Sequence, residues 1–121
     1  MTLDDIPRRN GLRFPEKMAL VMGEQRLTWA ELDRRVNKVA AALVATGLRP
    51  GDRVAILLAN CPEYLELYFG VARAGMIAVP INYRLTAREM AQILGHAEPA
   101  LLIASSAYAQ VAEDALSQIP P

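Results

Sequence analysis

One histidine, one cysteine and three short acidic groupings are the residues of this 121-residue chain whose types could do chemistry. His96 has the titration range of a general base. No Ser, Cys or Asp stands at a spacing that completes a nucleophilic triad with it, and it lies beside an expected helix end, where the dipole favours a cation. Cys61 falls in the first turn of an expected helix, where a thiolate would be stabilised. We read it as a small, partly buried residue at a strand-to-helix turn. Metal binding takes clustered His, Cys or carboxylate ligands. Asp4-Asp5, Glu63-x-x-Glu66 and Glu113-Asp114 lack such companions and read as helix-start charge or solvated faces. The seven glycines form no G-x-G-x-x-G, so no dinucleotide fingerprint is present. Gly70 and Gly75 have phosphate-loop spacing, but Met76-Ile77 follows where that loop needs a lysine and a hydroxyl. Gly75 therefore reads as a helix C-cap. No catalytic and no metal-binding residue is assigned.

The elements that would position any site follow from capping signals and apolar spacing. Met1–Pro15 is a polar leader with a short helix near Leu3–Asn10, ended by Phe14-Pro15. Met18–Met22 and Gln25–Thr28 read as a hairpin around a Gly23-Glu24 turn. Thr28 and Glu31 form a capping box for a helix over Trp29–Thr46 with one apolar stripe, closed by Gly47. Three runs are apolar at nearly every position: Val54–Leu58, Met76–Ile81 and Ala100–Ala104. Such runs fit strands buried on both faces of a parallel sheet. Between them lie helices expected at Cys61–Ala74, opened by an Asn60/Glu63 box, and at Ala87–Leu94, opened by Thr86/Glu89 and closed by Gly95. Ser105 or Ser106 would cap a last helix to about Ser117. The expected fold is α/β: a three-layer piece with a mainly parallel sheet flanked by helices, plus an N-terminal hairpin. Strand order is not legible.

The helix over Cys61–Ala74 stands out. Tyr64, Leu65, Leu67, Tyr68, Phe69 and Val71 make it apolar nearly all round, and Glu63, Glu66, Gly70 and Arg73 form a narrow polar stripe. So narrow a stripe predicts burial on more than one side. Left uncovered, this helix would expose an apolar face and favour a homodimer through Tyr64–Val71.

Composition excludes several classes. About half of the chain is apolar, ample for a core, and 13 basic residues balance 13 acidic ones. That balance gives no sign of nucleic acid or of an anionic membrane as a partner. A lone cysteine excludes an intramolecular disulfide and points to a reducing, cytoplasmic compartment. No secretory leader is legible, and no apolar run approaches the roughly 20 residues of a membrane span.

Four phrases, in order, resemble the N-terminal part of the adenylate-forming superfamily of acyl-CoA synthetases and AMP-dependent ligases. They are LTWAELDRRVNKVAAAL, GLRPGDRVAILLAN, PEYLELYFGVARAGMIAVPIN and NYRLTAREMAQIL, together covering about Phe14 to Leu102. The resemblance implies a parent enzyme, an acid-thiol ligase of fatty acid metabolism type. It would join a carboxylate to ATP as an acyl-adenylate and then pass the acyl group to coenzyme A. ATP, magnesium and coenzyme A are the implied cofactors, and the remainder of that enzyme is the implied partner. The family's phosphate loop, adenine and magnesium motifs and catalytic lysine are expected beyond residue 121. Residues 1–121 then form one N-terminal subdomain, truncated before the ATP-binding motifs and inactive alone. Arg84 is the single residue the resemblance carries toward a ligand, as a contact to coenzyme A phosphates; an arginine bridging to nearby backbone is the plainer reading. The alternative from another class is a stand-alone, non-catalytic α/β binding or interaction module.

Overall fold

The computed structural model describes residues 2–120. Met1 and Pro121, at the ends of the expected leader and of the final proline pair, lie outside the described residues. A short helix α1 (Asp5–Arg13) leads into an antiparallel hairpin, β1 (Met18–Met22) and β2 (Gln25–Thr28). Gly23 turns it with φ 60, the left-handed value expected of the first turn residue. Then come α2 (Trp29–Ala45), β3 (Arg53–Leu57), α3 (Pro62–Arg73), β4 (Ile77–Pro80), α4 (Ala87–Ala97), β5 (Leu101–Ala104), a 3-10 turn (Ser106–Tyr108) and α5 (Ala109–Ser117).

The three later strands are parallel, in the order β4-β3-β5. Central β3 explains the three layers. Its side chains alternate between faces. Val54, Ile56 and Leu58 meet Leu43 of α2 and Val71 of α3 on one face. Ala55 and Leu57 meet Met90 and Leu94 of α4 and Ala115 of α5 on the other. With helices on both faces, neither set of side chains can be polar, hence the unbroken apolar run. Pro80 is tolerated because β4 pairs only with β3, so its missing N–H is at an open edge.

Both predicted Thr–Glu capping boxes are present. The Thr28 hydroxyl accepts from the Glu31 N–H while the Glu31 carboxylate accepts from the Thr28 N–H. Thr86 and Glu89 repeat the arrangement for α4. Gly47 and Gly75 take left-handed φ values of 90 and 77 after their helices.

Several local expectations are corrected. Asn60 does not cap α3. Cys61, with extended φ −158, takes that place, and Pro62 fills the first helical position where no N–H is needed. Gly95 does not close α4; the helix runs on to Ala97, and Glu98 makes the left-handed turn at φ 49. No serine side chain caps the last helical segment. Asp4 and Asp5 do stand at a helix start, that of α1, and Asp4 also pairs with Arg73 of α3.

The burial of α3 on more than one side, expected from its narrow polar stripe, is present. None of its six large apolar side chains is exposed: Phe69 and Val71 are buried and the other four half-buried. Tyr64 and Leu67 pack toward the sheet, while Leu65 and Phe69 pack with the hairpin and α2. Of its polar stripe only Glu63 is exposed; the rest is turned from water. It is the seam with α2, where Glu66 accepts from Arg35 at 2.9 Å and Gly70 lies against Val39. Arg73 donates there to Asn37 at 2.7 Å and to Asp33 at 2.8 Å, and also to Asp4 at 3.2 Å. The neighbour that its apolarity demands comes from within the chain.

Candidate functional site

In open parallel sheets ligands gather outside the carboxyl ends of the strands, near the point where crossovers diverge. Here the chain leaves β3 through α3 on one face, returns as β4, and crosses by α4 on the other face to β5. The carboxyl ends of β3 and β4 frame a cavity of about 300 Å³ lined by Leu58, Asn60, Tyr64, Pro80, Ile81, Asn82 and Tyr83. Backbone bonds hold its floor: Ile81 donates to Ile56 at 2.8 Å and Ser105 to Leu57 at 3.3 Å, prolonging the ladder past the strand ends.

Arg84 lies at the rim. Its backbone N–H donates to the Asn82 side-chain oxygen at 2.9 Å, fixing the turn between β4 and α4. Its guanidinium sits 5.6 Å from the centre of the Tyr83 ring. Tyr83 in turn packs on Tyr108, ring centres 5.5 Å apart and planes 33° apart. The exposed Arg84 makes no ion pair among the described residues, and its side chain does not bridge to backbone. A cation on an aromatic shelf can meet an anion or the face of a planar ring.

A second recess of about 230 Å³ adjoins this cavity, sharing Asn60 and Tyr64 and adding Leu20, Met22, Cys61 and Leu65. Cys61 is half-buried there; burial pushes its thiol up, more than the Tyr64 N–H draws it down. A raised thiol is a poor nucleophile at neutral pH, so the helix start does not activate it. Burial likewise raises the Tyr64 phenol, with nearby Tyr68 adding to it, which keeps the hydroxyl protonated and able to donate. His96 is exposed in the last turn of α4. It lies toward the amino ends of the strands, beside Ala97, whose carbonyl accepts from Arg53 at the start of β3. The structure therefore brings Arg84 and Cys61 to the carboxyl end of the sheet and leaves His96 at the amino end.

Amides, phenols and one guanidinium can bind and orient a ligand. They include no carboxylate base, and no group of acidic, His and Cys residues among those described is placed to hold a metal ion. Asn82, Tyr83 and Tyr108 were not singled out by type or spacing, and Asn60 only as a helix cap. The signal that finds them is position: each follows an apolar strand within a few residues.

A parallel sheet covered on both faces, with a cavity at the carboxyl ends of its strands, places this chain among α/β proteins. The model of the AMP-binding enzyme family matches residues 7–120, and the chain belongs to that family. It is 41% identical over 104 residues to a feruloyl-CoA synthase of an Amycolatopsis species, covering 86% of this chain and 21% of that one. It is 40% identical over 100 residues to a crotonobetaine/carnitine–CoA ligase of Salmonella arizonae, covering 78% and 19%. The crystal structure of the N-terminal domain of FACL13 from Mycobacterium tuberculosis superposes with TM-score 0.92 at 32% identity, over 100% of this chain and 31% of that one. The chain thus spans about a fifth of the length of the curated relatives it matches. No helix among the described residues is long and apolar enough to cross a membrane.

Proposed function

We propose that this chain forms the N-terminal α/β part of an ATP-dependent acyl-CoA ligase. The observation that supports it most is the family match over residues 7–120, joined to relatives whose names are CoA ligases and a CoA synthase. In this reaction a carboxylate oxygen attacks the α-phosphorus of ATP and pyrophosphate leaves. The thiolate of coenzyme A then attacks the acyl carbonyl and AMP leaves. The donors at the sheet edge do not fit a magnesium ion, so no step of adenylation is assigned to them. They fit a phosphate or a nucleotide base better, and Arg84 is proposed to contact coenzyme A phosphates. Fatty or aryl acids are the substrate class in this reading and the cytoplasm its compartment.

Carboxylate-dependent exchange of labelled pyrophosphate into ATP, measured on the protein carrying this chain, tests the reading. No exchange at all favours the non-catalytic module, and exchange that needs no carboxylate contradicts an acyl-adenylate. Residues 1–121 alone are expected neither to hydrolyse nor to bind ATP, and calorimetric titration with ATP and magnesium checks this. Arg84→Ala should raise KM for coenzyme A severalfold and leave the exchange rate unchanged. The proposed partner is the rest of the enzyme. A homodimer through Tyr64–Val71 would have only half-buried Tyr64, Leu65, Leu67 and Tyr68 to use, and sedimentation decides it.

A further inference from the structure

We propose that the outward face of α1 and the turn after it dock onto the surface of an anionic lipid bilayer. Seven of the ten exposed large apolar side chains lie between Leu3 and Met22, so exposure is concentrated there rather than scattered. At helical spacing, Leu12, Arg9, Arg13 and Ile6 fall within an arc of about 120° opposite buried Pro7; buried Asp5, in the first turn and paired with Arg8, is the one residue of that arc turned inward. Leu12 is 78% exposed, more than any other large apolar residue described. Phe14 follows, with the Arg13 guanidinium 5.4 Å and the Lys17 ammonium 4.5 Å from its ring centre.

The acids of this segment are largely committed. Asp4 is taken by Arg73 and Asp5 by Arg8. Arg9, Arg13 and Lys17 have no ion-pair partner among the described residues, against one exposed acid, Glu16. A chain of net charge zero thus carries a local surface that is both cationic and apolar.

Charge complementarity selects the occupant. A nucleic-acid backbone would satisfy the cations but leave Ile6, Leu12 and Phe14 wet. A second copy would cover those side chains but bring the same three cations together. Anionic headgroups above an acyl layer meet both needs, as with helices that lie in the interface plane. The inference requires that the rest of a longer protein leave this face open.

The test is co-sedimentation of the chain with vesicles of phosphatidylcholine alone or mixed with phosphatidylglycerol. Partitioning should appear with the anionic lipid and weaken as salt rises. Each cation near the surface contributes about fivefold to partitioning, so Arg9→Glu/Arg13→Glu/Lys17→Glu should lower it by about a hundredfold or more. Leu12→Asp should lower it about tenfold or more with all cations in place. These residues are exposed, so an unchanged melting temperature separates lost docking from lost fold. No binding, equal binding to neutral vesicles, or binding that the variants leave intact overturns the proposal. A dimer dissolved by Leu12→Asp, without vesicle binding, overturns it in favour of a second copy.

Discussion

Glu98 holds a left-handed backbone at the end of α4, while Gly95, three residues earlier, sits in ordinary helix with open space where a Cβ would be. A side chain at left-handed φ costs about 1–2 kcal/mol, and a helical glycine about 1 kcal/mol against alanine. Gly95→Ala and Glu98→Gly should therefore each stabilise the chain by about 1 kcal/mol in urea unfolding. A loss from Gly95→Ala would return the cap to Gly95. Glu31 and Glu89 bear on acid stability. The N–H of Thr28 and of Thr86, then their hydroxyls, hold these carboxyls below the ordinary value of 4.5. Both folded values are lowered, so their contribution is fully present above that value and is lost as pH falls through the folded ones. The melting temperature should stay level from pH 7 to about 5 and fall below it. In Glu31→Gln/Glu89→Gln the fall should be shallower; an unchanged acid limb would assign acid loss to other groups, Asp5 among them.

Among the elements, the α2–α3 seam is where packing is tightest. A Cβ on Gly70 would lie 2.3 Å from Val39 Cγ1 and 2.7 Å from its Cβ, distances that force the helices apart. The propensity gain of alanine, about 1 kcal/mol, is smaller than the cost of overpacking, about 1–3 kcal/mol. Gly70→Ala should destabilise by up to about 2 kcal/mol, and Val39→Ala should recover part of that by opening room; additive losses would contradict the contact. This seam explains what could be read in advance. Strands and capped helices were legible because β3 is buried on both faces and because each Thr–Glu box satisfies its own amides locally. The cover of α3 was not. Glu66 and Arg73 look solvent-seeking by type, and only the tertiary fold supplies Arg35, Asp33, Asn37 and Asp4 as partners. The sheet-edge cavity was equally hidden. Asn60 and Asn82 lie 22 positions apart, and it is the parallel pairing of β3 with β4 that brings them to one edge.

The whole molecule is a doubly covered sheet whose binding groups all lie at its carboxyl end and whose proton-transfer groups are elsewhere or inert. His96 is at the amino end and Cys61 is held as a thiol. In the proposed reading such a body positions a ligand and leaves bond-making to other chain; it spans about a fifth of the length of the curated relatives it matches. The central claim is the acyl-adenylate, and oxygen tracing tests it most directly. The carboxylate substrate is labelled with oxygen-18 in both oxygens and turned over by the protein carrying this chain, with ATP and coenzyme A. Attack on the α-phosphorus predicts one labelled oxygen in AMP and unlabelled pyrophosphate. Label in orthophosphate, with ADP as the nucleotide product, would mean an acyl phosphate and contradict the assignment.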